Sequence, residues 1–169
     1  MSYFETIEAS SLTENFFNRI GKEWSLITAG DSKKCNTMTA SWGGVGVLWN
    51  KNVTYCFIRQ SRYTLEFMDR EDYYSISFFG IDHRKELAYC GKVSGREEDK
   101  IAETGLTPVF DREAPYFAEA DLVLICKKLY RQTMMPECFA DSALVSAFYS
   151  DGDYHETFVG EIVSVLKKS

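Results

Sequence analysis

The side chains best placed to do chemistry fall between residues 36 and 64. Asn36-Thr37-Met38-Thr39-Ala40-Ser41-Trp42 alternates short polar residues with larger ones. That pattern suits a strand whose hydroxyls and peptide groups face a flat polar ligand. Beyond a glycine-rich crossing, Val53-Thr54-Tyr55-Cys56-Phe57-Ile58 reads as a second strand running into Arg59-Gln60-Ser61-Arg62-Tyr63-Thr64. Ser61 stands where a helix over Tyr63 to Met68 would take its N-cap. Free N–H groups, the positive end of the helix dipole, a guanidinium and two hydroxyls would converge there, a set that fits a phosphate. On spacing alone the plainer reading is favoured: an ordinary strand, a glycine turn, a plain cap and a solvated arginine.

Resemblance shifts that balance. Asn36-x-Met38-Thr39-x-Ser41-Trp42 followed by Arg59-x-Ser61-Arg62-x-Thr64 resembles the flavin reductase-like family of split-barrel proteins that bind FMN. Ser94-Gly95-Arg96-Glu97-Glu98-Asp99-Lys100 is similar to that family's Ser-Gly-Arg-x-x-Asp-Lys stretch. Asp153-Tyr154-His155 and the strand through Gly160-Glu161 are similar to its closing His and Gly-Glu strand. The resemblance covers nearly the whole chain. It implies a mainly β protein, an FMN-binding split β-barrel with peripheral helices, as one domain over residues 1–169.

The resemblance also implies cofactor contacts. Asn36, Met38, Thr39, Ala40, Ser41 and Trp42 would meet the polar edge of the isoalloxazine ring, and Arg59, Ser61, Tyr63, Thr64 and Lys100 the phosphate end. His155, taken alone, reads as a structural histidine; the match places it near the flavin or nicotinamide pocket as the catalytic candidate. Hydride transfer needs two aligned rings more than a protein-borne proton, so a general-acid role is not assigned to it. Trp42 fits either the ring's neighbourhood or an ordinary core. A homodimer with flavin near the subunit interface is a further implication.

The elements that would carry these residues are mostly strands. Strand patterns cover residues 24–30, 73–79, 121–133 and 158–166. A helical face at Leu12, Phe16, Phe17 and Ile20 should stop at Gly21. Asp82 would cap a helix over residues 83–88 with Gly91 as its stop, and a second helix over 97–102 would close at Gly105. Residues 134–149 look like a helical insertion, and 43–49 remain an unassigned connection. About six or seven strands suggest a small closed or split barrel, and no Gly-x-Gly-x-x-Gly supports a Rossmann fold.

Composition bounds the rest. The 169 residues suffice for one domain with a substantial core. A net charge of −6 argues against nucleic acid as a main partner while allowing a local positive pocket. Cys35, Cys56, Cys90, Cys126 and Cys138 are scattered, with no Cys-x-x-Cys pair and no metal-ligand spacing, so reduced thiols and a cytoplasmic location are expected and no metal. Cys90 reads as a buried, inert thiol. The N-terminus shows no basic n-region or apolar h-region, and no apolar run reaches membrane-spanning length.

The expected function is an FMN oxidoreductase that takes hydride from NADH or NADPH and passes electrons to a small-molecule or protein acceptor. Two alternatives stay open: an FMN electron carrier of the same fold without direct NAD(P)H use, and a barrel that binds haem or another planar ligand.

Overall fold

The computed structural model describes residues 4–169; Met1, Ser2 and Tyr3, part of the N-terminus read above for a leader, lie outside them. Its strands are β1 (Phe4–Ile7), β2 (Ser25–Gly30), β3 (Cys35–Ala40), β4 (Gly43–Leu48), β5 (Lys51–Arg59), β6 (Tyr73–Phe78), β7 (Pro108–Val109), β8 (Tyr116–Phe117), β9 (Leu122–Thr133) and β10 (His155–Lys168). Its helices are α1 (Phe16–Asn18), α2 (Thr64–Arg70), α3 (Arg84–Lys92), α4 (Lys100–Thr104) and α5 (Ser142–Phe148).

One antiparallel sheet runs in the order β3-β2-β6-β9-β10-β5-β4, with β1 added against the C-terminal end of β10. β7 and β8 form a separate ribbon. The sheet is not closed by hydrogen bonds, because β3 and β4 are its two edges. Only Ser41 and Trp42 separate those edges along the chain. The peptide itself therefore bridges the opening and brings both edges to one place, the geometry of a split barrel.

Both faces of the sheet carry apolar cover, as the continuous Leu122 to Cys126 run implies. Leu122, Leu124 and Cys126 enter the inner cluster with Ile27, Met38, Ile58, Phe67, Tyr74 and Phe158. Val123 and Ile125 point the other way, packing with Leu26, Leu87, Cys90, Leu106 and Phe117 beneath α3 and the β7–β8 ribbon. The period of two along each strand thus builds two cores from one sheet.

Several local expectations need correction. The helix expected over residues 12–20 shrinks to α1, followed by a π-helical turn over Arg19–Glu23 that passes straight through Gly21. Gly91 does not stop α3, which continues to Lys92. A Cβ on Gly91 would lie 3.2 Å from Thr39 Cβ, so this glycine lets the helix settle on β3. His83, not Asp82, holds the cap position of α3. The second helix begins later than expected, at Lys100, where Asp99 accepts from the Ala102 N–H at 3.1 Å. Gly105 closes it in the left-handed region at φ 69°, as its sequence position suggests. Residues 43–48 are a full strand, β4, turned into β5 by Trp49 and Asn50, both at positive φ.

Candidate functional site

β3, β5 and β10 converge at the split. Two cavities there share Met38, Arg59 and Arg62 and so make one trough. The first, about 170 Å³, is lined by Met38 to Trp42, Phe57 and His155. The second, about 280 Å³, continues along Asn36, Ser61, Tyr63 and Thr64 to Lys92–Gly95 and Lys100. All the residues singled out from the sequence line this trough. Joined, the cavities fall in the size range of cofactor sites, roughly 300–1,000 Å³.

Buried hydrogen bonds fix the walls. Asn36 Nδ2 donates to Thr64 Oγ1 at 2.8 Å, tying β3 to the first turn of α2. Gly95 lies directly against Asn36: a Cβ at that position would sit 2.0 Å from Asn36 Oδ1. A side chain there would force the 92–95 loop off the trough. The threonine hydroxyls of β3, expected to face a ligand, are used internally instead. Thr37 Oγ1 lies 2.9 Å from Thr28 Oγ1, and Thr39 Oγ1 donates to the Leu87 carbonyl. What β3 offers the trough is its outer row of peptide groups, left without a strand partner because β3 is an edge.

The expected N-cap is also corrected. α2 begins at Thr64 with Tyr63 in the cap position and no side-chain cap bond. Ser61 is held by Asp153: its N–H donates to Oδ1 at 3.0 Å and its hydroxyl to Oδ2 at 2.6 Å. Arg59 is clasped by the same loop, donating to the carbonyls of Asp153 at 2.8 Å and Phe148 at 2.9 Å. The strand-end cation and the serine therefore pin residues 148–153 beside the end of β5.

Open positive charge lies deeper. Lys100 is 4% exposed, and its Nζ donates to the Cys90 carbonyl at 3.0 Å. Burial brings its pKa down to about 8, the Cys90 thiol opposing that fall and Arg62 adding to it. Arg62 donates to the Gly91 carbonyl at 2.8 Å, and burial together with neighbouring Arg59 lowers its pKa, the more distant Asp153 carboxylate opposing that fall. Neither cation has a carboxylate at ion-pair distance among the described residues. Cys90 is fully buried and its thiol is pushed up to about 11, which makes it inert as expected.

At the other end His155 is 7% exposed, and burial with Arg59 nearby brings its pKa down to about 4. Its imidazole is thus neutral near pH 7. Trp42 is not a core tryptophan: it is 45% exposed, edge-on to Phe148 at 5.4 Å and tilted over His155 at 5.4 Å. Among the described residues no cluster of His, Cys, Asp and Glu could hold a metal ion, and no helix is long and apolar enough to cross a membrane.

Five contributors are not among the residues expected from the sequence. Arg62, Ser94 and Gly95 lie within the family-like motifs and line the trough beside the expected residues. Phe148 and Tyr149, which contact Trp42 and His155, carry no sequence signal, since the path of the insertion that holds them is visible only in three dimensions.

A split barrel with a half-buried, cation-ended trough at its seam is the arrangement that the comparisons with known proteins must account for. The chain belongs to the flavin reductase-like family: the model described as flavin reductase like domain matches residues 17–169. No curated protein sequence matches it. Among solved structures it is similar to an FMN-binding domain of a flavin reductases-like enzyme from Shewanella baltica, with TM-score 0.70 and 13% identity over 99% of this chain and 78% of that one. It is also similar to a flavoredoxin from Methanosarcina acetivorans, with TM-score 0.66 and 23% identity over 95% and 74%. A Streptomyces globisporus NADH:FAD oxidoreductase aligns with TM-score 0.62 and 17% identity over 87% and 77%.

Proposed function

We propose that this chain binds FMN along the trough and works as an NAD(P)H-dependent flavin reductase. The observation that carries the reading is the pair Lys100 and Arg62, cations held at one end of the trough without a carboxylate partner in a chain of net charge −6. Leaving buried charge uncompensated is costly, so such a site fits an anionic ligand group. A phosphate supplies that charge, and Thr64, Ser94 and the close-packed Gly95 provide small polar walls around it. The flat remainder of FMN suits the narrower cavity between the β3 edge and His155. When bound, FMN supplies the two-electron chemistry between a nicotinamide and an acceptor.

The chain's own contribution is binding and alignment. Edge peptide groups of β3 meet the polar rim of the ring, and Trp42 with Phe148 leaves an aromatic, half-open mouth where a nicotinamide can stack. The likeness to an NADH:FAD oxidoreductase supports the donor assignment. Exposed Phe17, Val47 and Trp49 support action as a homodimer, and the reading includes a soluble, cytoplasmic setting with a small-molecule or protein acceptor. The flavoredoxin likeness favours one second reading, an electron carrier that does not use NAD(P)H.

Anaerobic titration of the FMN-loaded protein with NADH and then NADPH separates these. Bleaching of the bound flavin by either nucleotide supports the reductase. Reduction by dithionite alone supports the carrier, and failure to bind FMN at all removes both.

A further inference from the structure

We propose that Tyr149, a residue of the α5 insertion, is a positioning residue that donates its hydroxyl proton to His155 Nδ1 and so fixes His155 as an Nε2–H donor facing the trough. The role in turnover rests on the flavin reading above; the tautomer itself does not. Tyr149 Oη lies 2.7 Å from His155 Nδ1, and both residues are 7% exposed. The two rings meet edge to face at 5.5 Å, so the phenol lies against the imidazole.

The direction of that hydrogen bond follows from what surrounds it. A neutral imidazole has one N–H and one lone pair, and the contact permits either arrangement. Tyr149 Oη has one other partner, the Met134 sulfur at 3.5 Å, which is a weak acceptor. If Nδ1 held the proton it would donate to Oη, and the phenol's own O–H would be left with only that thioether, a weaker pairing than an O–H directed at an imidazole lone pair. The guanidinium of Arg59 sits 5.2 Å from the Tyr149 ring centroid. A cation over the ring makes the phenol a stronger donor and a poorer acceptor. Burial raises the Tyr149 pKa, with Arg59 opposing that rise, so the hydroxyl keeps its proton.

Arg59 is held for this purpose by backbone. Its two carbonyl bonds go to Phe148 and Asp153, which bracket Tyr149 and the turn into β10. Tyr154 stacks on Tyr149, with centroids 4.9 Å apart and planes 14° from parallel. The Tyr149 ring is thus held by Tyr154, His155 and Arg59. The arrangement leaves His155 Nε2–H as the donor toward the first cavity, where an acceptor atom on a nicotinamide carboxamide can take it.

Long-range 15N–1H correlation spectra of the ligand-free protein test the tautomer directly, with His83→Gln to assign the two histidines. The expected pattern for His155 is a protonated Nε2 and an unprotonated Nδ1. Tyr149→Phe should then give a mixture of tautomers. It should also slow flavin reduction by NADH about three- to tenfold, the value of one neutral hydrogen bond, while FMN affinity stays within about twofold. Met134→Leu, which removes the competing sulfur, should leave the pattern unchanged. A wild-type spectrum showing protonated Nδ1, or an unaltered tautomer in a folded Tyr149→Phe protein, overturns the proposal. Because the wild-type spectrum needs neither flavin nor a variant, its outcome is independent of whether FMN binds.

Discussion

His155 lies directly opposite Arg59 in the antiparallel register of β10 and β5. One rung of the ladder thus couples the histidine at one end of the trough to the strand that leads into its cationic end. Arg59 acts on the imidazole in two ways: its charge disfavours protonation, and its two carbonyl bonds hold the loop that carries Tyr149. The trough is accordingly a single assembly in which backbone register sets side-chain chemistry.

That relationship has a pH signature. The His155 pKa is brought from its ordinary 6.5 down to about 4. Between those values the unfolded chain binds the proton more tightly, so the native state gains stability as pH rises through this window and loses it as pH falls. Imidazole resonances of His155 should show no titration between about pH 5 and 8. The acid-side loss of stability should be smaller in His155→Phe than in the native chain, as chemical denaturation at a series of pH values would show.

Lys100 titrates near the upper end of the working range, at about 8. Below that pH its ammonium attracts a phosphate; above it the neutral amine does not. FMN affinity should therefore decline as pH rises past about 8, and Lys100→Met should flatten the profile and weaken binding about ten- to a hundredfold, the value of a charge-assisted hydrogen bond. Riboflavin, which lacks the phosphate, should show neither effect. Isothermal titration at fixed ionic strength reads both ligands.

Gly160 carries a packing demand that conformational freedom does not explain. A Cβ there would lie 2.2 Å from Tyr74 Oη and 2.8 Å from Tyr74 Cζ. Tyr74 is completely buried and bonded to Thr54 Oγ1 at 2.8 Å, and the β9–β10 register shifts between Val159 and Gly160 at the same point. Gly160→Ala should destabilise the protein by about 1–3 kcal/mol through overpacking. Tyr74→Phe, which removes the closest atom, should recover part of that loss in the double variant, a non-additivity visible in urea midpoints.

How much of this was legible in the sequence depended on whether the information was local. The Val53 to Ile58 strand and Gly105 as a helix stop were legible because pattern and chemistry lie within a few residues. β4 was not, since the glycines of residues 43–49 leave that stretch without an assignable pattern and the Trp49-Asn50 hairpin turn lacks the usual Asn-Gly or Asp-Gly signal. Edge pairing with β5 makes it a strand. Ser61 was misread as a cap because its true partner, Asp153, lies 92 positions away. Arg59 was read as an open anion ligand for the same reason, its carbonyl partners lying in an insertion whose path the sequence does not fix. The trough residues were found by motif, while the division of labour among them needed coordinates.

The most direct test of the account compares FMN with riboflavin on the native protein and on Arg62→Ala. If the cations at the end of the trough hold a phosphate, FMN should bind about a hundredfold or more tightly than riboflavin at low salt, as two charge-assisted contacts would give. Arg62→Ala should erase much of that ratio without changing riboflavin affinity. Equal affinities for the two flavins in the native protein would contradict the assignment.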